Sequence, residues 1–295
     1  MYVIADLSDE NMGLYSDYID EDAAENLERV NYFGLVACDD LGGVKAAMIW
    51  QIKNLKPDAE KESLIEWIRS DDPEAMTRML DSYRIRVAEQ GGVRSTVVIP
   101  VRNCRELKAQ LMDAGFDMRL SESNLIEVKL SELSRSALMN KMRGKKIPSS
   151  IKAIKEVPPR AFRAGIAKCL SKGRTGLCDD LGDLYIRWFE TDVSCASMDE
   201  NGVNGFFLFH KKPSGLIAVQ LMICLDSNVR STLPMLMYRF MCAMEEKYGP
   251  DQKVVFDRHN EQVLTLAEKL IPRGFGIPVY AGSRSERLDD SKETK

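Results

Sequence analysis

The sequence predicts an α/β fold that occurs twice, in two domains of about 150 residues each. The chain has 295 residues and is 44% hydrophobic, which is enough for two cores of ordinary size. Its two halves also repeat one order of strand, turn and helix patterns. Glycines anchor this repeat, because Gly43 and Gly202 are 159 positions apart, and so are Gly115 and Gly274.

The first copy begins with a strand and helical segments, followed by three strands that turn residues separate. Apolar residues at helical spacing, such as Met76, Leu80 and Val87, then predict a helix. A β-branched strand and an amphipathic helix that ends at a glycine complete the copy. The predicted elements are strands at 2–7, 32–38, 44–52, 63–68 and 93–99, helical segments within 10–29, and helices at 76–87 and before Gly115.

The second copy repeats this order. Its central helix is clear, because Leu233, Phe240 and Met244 recur at helical spacing. The methionines of this helix are expected to fill the core, and the alternative is a lining for an apolar acyl chain. The predicted elements are strands at 151–157, 193–198, 203–210, 216–225 and 253–256, helical segments at 160–170 and 181–189, and helices at 233–244 and before Gly274.

These patterns predict an N-terminal domain at 1–133, a linker at 134–150, a C-terminal domain at 151–283 and a disordered tail at 284–295. The linker contains Lys141, Arg143, Lys145 and Lys146. Such a basic run is typical of a solvated linker, and weak steering of a charged ligand is the alternative interpretation.

Composition excludes several classes of function. The net charge is −4 and the pI is about 5.5, so no strong positive field exists to hold a nucleic acid backbone, and we expect no nucleic acid partner. No leader sequence and no apolar run long enough to span a bilayer occurs, so we expect a soluble, cytoplasmic protein without a membrane partner. The sequence does not predict an oligomeric state.

The cysteines and histidines do not predict a reactive or metal site. The seven cysteines are scattered without a CxxC pair, and we expect them to be reduced and mostly buried. His210 and His259 are the only histidines, and neither lies in a cluster with metal-ligand spacing. His210 ends an apolar strand before two lysines, so we expect it at a surface or a sheet edge.

The element order is similar to that of the GNAT (N-acetyltransferase) superfamily, and it covers nearly the whole chain twice. An Asn follows the fifth strand of each copy, and Gly-Phe ends each last helix, at Asn103 and Gly115-Phe116 and at Asn260 and Gly274-Phe275. The resemblance implies two tandem domains, each a central mixed, mostly antiparallel sheet flanked by helices. It also implies acetyl-CoA or another acyl-CoA as co-substrate and a small-molecule amine as acceptor.

In that family, the turn from strand four into its helix carries Arg/Gln-x-x-Gly-x-Gly/Ala. Its backbone N–H groups bind the pyrophosphate of acetyl-CoA. The first copy has Asp72 and Pro73 there, which predict an N-cap that occupies those amides, and Asp71 and Glu74 add repulsive charge. We therefore expect the first copy to be degenerate.

The second copy also lacks the glycines of this turn. It offers neutral Ser231 and Thr232, either of which can cap the helix, and Arg230, which can reach a phosphate. The resemblance therefore places acyl-CoA in this copy. The predicted binding residues are Ser227, Asn228, Val229, Arg230, Ser231, Thr232 and Asn260.

Many GNAT members place a Tyr general acid four residues before the Gly of Gly-Phe, where this chain has Leu111 and Leu270. A direct attack by a bound amine tolerates that loss, because the enzyme then mainly aligns the reactants. The predicted catalytic candidates are Glu66 in the first copy and His259 in the second. Their ordinary alternatives are a solvent-facing strand residue and a turn residue, respectively.

The sequence therefore predicts an acyl-CoA-dependent N-acyltransferase with its groove in the second copy. The alternative is a non-catalytic GNAT-like protein that binds a small molecule or a partner, because both copies lack the Gly-rich loop and the Tyr. A weaker alternative is aminoacyl transfer to a cell-wall peptide, against which the acidic charge and the absence of a helical-arm insertion argue.

Overall fold

The computed structural model describes residues 2–53, 60–102, 104–123, 125–172, 180–225, 229–257 and 277–286. Contacts divide the chain into two compact units. Unit 1 combines Met1–Ser123 with Ile277–Lys295, and unit 2 is Asn124–Gly276.

Unit 1 is a sheet with helices on its two faces. Its strands are β1 (Val3–Leu7), β2 (Tyr32–Cys38), β3 (Val44–Lys53), β4 (Lys61–Ser70), β5 (Gly92–Pro100), β6 (Asp117–Glu122) and β13 (Pro278–Ser285). Its helices are α1 (Glu21–Ala24), α2 (Pro73–Glu89) and α3 (Arg105–Asp113), with 3-10 turns at Met12–Tyr15 and Glu25–Glu28. The strand order is β1-β2-β3-β4-β5-β13-β6.

The core of unit 1 follows the predicted periodicity. The buried face of α2 includes Met76, Leu80, Tyr83 and Val87, as the helical spacing predicts. These residues pack with Trp50 and other buried residues of the central strands in one cluster. A second cluster on the other face joins α1 to β1 and β2.

Unit 2 has a second sheet. Its strands are β7 (Leu125–Lys129), β8 (Ile151–Ala153), β9 (Cys195–Asp199), β10 (Gly202–Lys211), β11 (Ile217–Cys224) and β12 (Lys253–Asp257). Its helices are α4 (Leu130–Ser134), α5 (Ala137–Met142), α6 (Pro159–Ser171) and α7 (Val229–Lys247), with 3-10 turns at Ile154–Glu156 and Ile186–Trp188. The order is β7-β12-β11-β10-β9-β8, with α7 and α6 in separate apolar clusters.

The last strand of each copy lies in the sheet of the other copy. β13 is inserted between β5 and β6 and is antiparallel to both, and β7 is antiparallel to β12. Consequently residues 124–133 group with unit 2 and residues 277–283 with unit 1, unlike the predicted domains 1–133 and 151–283. The repeat in the sequence predicts a similar last strand in each copy, here β7 and β13. It does not predict which sheet each strand joins, because backbone hydrogen bonds are the same whichever copy supplies the strand.

The predicted linker and tail also differ from the structure. Within 134–150, Met139 of α5 is buried in the apolar cluster that contains α7, and Ile147 packs against the same cluster, so this segment is part of the core. At the other end, Arg284 and Glu286 continue from β13 into a buried ion pair, although the tail was expected to start at residue 284. The remaining tail, 287–295, lies outside the described residues.

Two of the expected helical segments are shorter than predicted, whereas α6 at Pro159–Ser171 confirms the segment expected at 160–170. Residues 10–29 form two 3-10 turns and a four-residue α-helix, with Asp20 accepting N–H bonds from Asp22 and Ala23. The expected helix at 181–189 is only a 3-10 turn at Ile186–Trp188. Local hydrogen bonds of Asp, Asn and Ser compete with continuous helix in such segments.

Candidate functional site

The parallel pair β11 and β12 stops early in unit 2. Ile217 pairs with Val254 and Ala218 with Val255, and β11 then continues to Cys224 without further pairs to β12 among the described residues. The register between β10 and β11 also shifts, because Leu208 faces Leu221 and Phe209 faces Val219. Gln220 is therefore an extra residue in a β-bulge, which bends the strand.

Unit 1 has the same divergence. The parallel pairing of β4 and β5 ends at Ile65 and Val97 within the described residues. The register of β3 and β4 shifts where Ile49 faces Trp67 and Trp50 faces Ile65. The bulged residue is Glu66, which is exposed, so this catalytic candidate lies at the divergence of the two strands.

The helix N-terminus beside this divergence is capped in unit 1. Asp72 precedes α2, and its carboxylate accepts the N–H of Ala75 at 2.9 Å, with Pro73 at the first helical position. The predicted N-cap is confirmed. Hydrogen bonds from the Ala75 N–H, the larger cause, and from the Tyr2 hydroxyl lower the pKa of Asp72. The hydrogen bond between Tyr2 and Asp72 raises the pKa of Tyr2.

The corresponding helix of unit 2 begins differently. α7 starts at Val229, so Ser231 and Thr232 lie inside its first turn and the expectation that one of them caps the helix was wrong. Arg230 and Ser231 are exposed and Thr232 is half-buried. Pro234 lies inside the helix and has no N–H to donate to the carbonyl of Arg230.

The structure describes only part of the predicted site. Ser227, Asn228, His259 and Asn260 lie outside the described residues, and of Val229 only the backbone is described. Glu66 belongs to unit 1, whereas the other predicted site residues belong to unit 2. Their roles stay predictions. Leu111, at one Tyr position of the family pattern, is fully buried in α3 and cannot exchange a proton.

His210 is buried and not at a surface, which corrects the expectation from the sequence. Its side chain is 7% exposed and stacks on Trp188, with ring centroids 4.1 Å apart. Its Nδ1 lies 2.7 Å from the carbonyl oxygen of Trp188, so this nitrogen carries the hydrogen. The apolar residues before His210 predict a strand, but they do not show that Trp188, 22 positions earlier in the sequence, covers the end of this strand.

The sequence also did not reveal a charged cluster at the end of α7. Lys247 donates to Glu190 at 2.5 Å and to Asp192 at 2.8 Å, and Lys155 lies 2.9 Å from Asp192. Hydrogen bonds from Lys247 and Lys155 lower the pKa of Asp192 to about 2. Burial, with a hydrogen bond to Glu190, raises the pKa of Tyr248 to about 12. Asp192 therefore stays ionised and Tyr248 stays neutral near pH 7, so these two groups fix structure.

The methionines of α7 fill the core, as the first interpretation predicts. Met237 and Met241 are buried among Phe207, Phe240 and Phe256. A cavity among these residues has a volume of about 10 Å³, which is about the space for one water molecule. It is too small for an acyl chain.

Three general features bear on the chemistry. The six cysteines that the structure describes are free thiols. No group of His, Cys, Asp and Glu in the described part of the chain could hold a metal ion. Among the same residues, no helix is both long and apolar enough to cross a membrane.

No protein-family model and no curated protein matches the sequence. Solved structures do resemble it. A tandem GNAT protein from the clavulanic acid biosynthesis pathway, solved without acetyl-CoA, has a TM-score of 0.64 and 9% identity over 98% of this chain and 100% of its own. The glucosamine N-acetyltransferase region of a fungal multidomain β-N-acetylglucosaminidase has a TM-score of 0.57 and 13% identity over 96% of this chain and 38% of its own.

Likeness at such low identity shows the fold. The likeness to the tandem GNAT protein extends over both units, because it covers 98% of this chain. The prediction of two mixed sheets flanked by helices is confirmed. The chain has the tandem GNAT fold.

Proposed function

We propose that the chain is an acyl-CoA-dependent N-acyltransferase that transfers an acetyl group to the amine of a small molecule, with its groove in the second copy. The GNAT fold supports acyl transfer as the reaction class. The difference between the two helix N-termini supports the choice of copy. Asp72 occupies the amide of Ala75 in unit 1, whereas Arg230 and Ser231 are exposed at the start of α7.

In this proposal, acyl-CoA supplies a thioester carbonyl and lies beside the first turn of α7, beyond the last pair of β11 and β12. Arg230 provides a cation for the pyrophosphate, and the helix N-terminus provides N–H groups. The other proposed binding residues are Ser227, Asn228, Val229, Ser231, Thr232 and Asn260.

The chemical step is a direct attack. The amine lone pair attacks the thioester carbon, the C–N bond forms as the C–S bond breaks, and the coenzyme A sulfur receives the proton that the amine loses. Alignment of the two reactants supplies most of the rate. His259 is the acid/base group that we propose for this copy, and Glu66 would serve only a groove in the first copy.

Isothermal titration of the full chain with acetyl-CoA tests this proposal. We expect the wild type to bind and Arg230→Glu to abolish binding, because the variant replaces a phosphate contact with a like charge. Arg105→Glu is the matched control. It makes the same change at the exposed first residue of another helix, α3, and should bind like the wild type.

Undiminished affinity of Arg230→Glu would rule out the pyrophosphate role of Arg230. No heat with acetyl-CoA, together with a melting temperature that saturating acetyl-CoA leaves unchanged, would instead favour the non-catalytic alternative. Coenzyme A that copurifies with the chain, detected by mass spectrometry, would count against that alternative.

A further inference from the structure

Unit 2 carries a strongly basic segment with no acidic residues. Between residues 133 and 155 the sequence has seven Lys and Arg and no Asp or Glu, although the whole chain has a net charge of −4. Four of these cations, Lys141, Arg143, Lys145 and Lys146, fall within residues 141–146, which we call the basic strap. All four are exposed, and none of them forms an ion pair within the described part of the chain.

The basic strap is fixed against α7. Met139, before the strap, is buried in the apolar cluster that contains α7, and Ile147, after the strap, packs against the same cluster. The backbone N–H of Gly144 donates to the hydroxyl of Tyr238 in that helix at 3.0 Å. Gly144 has a φ of 77°, a conformation that a glycine adopts without strain. The four cations therefore extend from an anchored backbone and not from a free linker.

The segment that contains the strap runs toward the N-terminus of α7. Ser134 donates to Glu245 near the end of that helix at 2.6 Å, and Gly144 then contacts Tyr238, which is two turns earlier. The strap thus approaches the turn of α7 that contains Arg230 and that the proposed function assigns to acyl-CoA.

Sheet register gives the same location. After the strap, Ile151 pairs with Ser197, Ser197 with Gly205, and Gly205 with Cys224. Three strand spacings of about 4.8 Å put Ile151 about 14 Å from Cys224. Cys224 is the last residue of β11, just before the turn into α7. The chain that follows the strap therefore enters the sheet at the end where the proposed groove opens.

Two acidic residues lie on the β9–β10 turn at this end of the sheet. Asp199 accepts hydrogen bonds from Asn201 and Asn204, and Glu200 is exposed. Among the described residues, the four cations of the strap therefore outnumber the two carboxylates of this turn. A positive potential near a binding groove raises the association rate of an anionic ligand by roughly 10- to 1000-fold in strong cases.

We propose that the basic strap collects the anionic cosubstrate of unit 2: it raises the association rate of acyl-CoA by electrostatic attraction and does not contact the bound molecule. This inference rests on the proposed function. Coenzyme A esters carry a pyrophosphate and a 3′-phosphate, and a phosphate monoester alone has about −1.5 to −2 charge at pH 7. Attraction between charges about 14 Å apart is strong at low salt and weaker at higher salt, because the Debye length is about 30 Å at 0.01 M and about 10 Å at 0.1 M.

Stopped-flow measurements with fluorescent etheno-acetyl-CoA test the proposal in the full chain. We expect Lys145→Gln with Lys146→Gln to lower the association rate constant by about 3- to 10-fold at low salt and to leave the dissociation rate constant unchanged. The loss should shrink as salt increases and should be smaller for the dephospho analogue. Glu200→Gln should raise the association rate.

Arg102→Gln with Arg105→Gln removes two exposed cations from unit 1 and is the control with equal charge loss. An unchanged association rate constant in the strap variant would overturn the proposed role of the basic strap. So would an equal loss of association rate in this control. A rise confined to the dissociation rate constant would also overturn the proposal, because that result indicates the loss of a direct contact. If the wild type itself does not bind acetyl-CoA, the proposed function fails, and that outcome is separate from failure of the strap alone.

Discussion

Two residues of opposite charge lie at the starts of the corresponding helices of the two copies. Asp72 caps α2 and accepts the N–H of Ala75, so its carboxylate holds the position that an anionic ligand would take. Arg230 is exposed in the first turn of α7. Because the positive end of a helix dipole attracts one anion, a helix capped by its own carboxylate has little attraction left for a pyrophosphate.

Glu286 has a structural role that a single substitution tests. It is 1% exposed and accepts two hydrogen bonds from Arg284, at 2.7 and 3.1 Å. We expect Glu286→Ala to lower the free energy of unfolding by about 3–5 kcal/mol, because it leaves a largely buried guanidinium without its carboxylate. Urea unfolding followed by circular dichroism measures this loss.

Replacement of both partners is the control for that prediction. Arg284→Met combined with Glu286→Leu removes the buried charges together and should recover most of the lost stability. Equal destabilisation by the single and double variants would show that packing, and not the unpaired charge, determines the effect.

At the scale of elements, ion pairs hold the segment before β9 to the end of α7. Lys247 bonds both Glu190 and Asp192, and Lys155 adds a second contact to Asp192. Asp192 is 44% exposed, so solvent weakens the interaction. These ion pairs therefore orient the end of α7 more than they stabilise the unit.

The stability contribution of Asp192 should depend on pH. Its pKa falls from 3.8 to about 2 on folding, so its contribution is complete above about pH 4 and is lost as the pH falls toward 2. We expect Asp192→Asn to remove this component, so that the stability difference from the wild type is present at pH 6 and disappears near pH 2. NMR titration of the Asp192 carboxyl carbon checks the pKa directly, and a value near 3.8 would contradict the assignment.

At the scale of the whole molecule, unit 1 is made from two distant parts of the chain and unit 2 from one. β13 lies between β5 and β6 in the sheet of unit 1, so those strands do not pair with each other in the described structure. The elements of unit 2 are continuous from β7 to β12. The two units should therefore respond differently to cutting the chain.

Fragments test this difference. We expect residues 124–276 to unfold cooperatively alone, whereas residues 1–123 should not, because they lack the strand that joins β5 to β6. A synthetic peptide of residues 277–286 added to fragment 1–123 should restore protection of β5 amides in hydrogen exchange. Cooperative unfolding of fragment 1–123 without the peptide would contradict the exchange of strands.

The predictions from sequence differ in success for a physical reason. Helical spacing in α2 and the Asp72-Pro73 cap are local signals, and both are correct. The burial of His210 under Trp188 and the cluster around Lys247 depend on residues distant in the chain, which no local pattern contains. In the second copy, the sequence correctly predicted a helix but not that Ser231 and Thr232 lie inside its first turn. The binding roles of these residues stay predictions.

The sequence by itself determined the repeat, the α/β class and the order of elements, because these depend on periodicity and turn residues. It also determined that α2 is capped by a carboxylate and that the start of α7 is less acidic, because these features depend on local residues. Only the tertiary structure decided which sheet receives β7 and β13, since either similar strand can satisfy the same backbone hydrogen bonds. It also decided that residues 134–150 are no free linker, because Met139 and Ile147 pack in the apolar cluster that contains the distant helix α7.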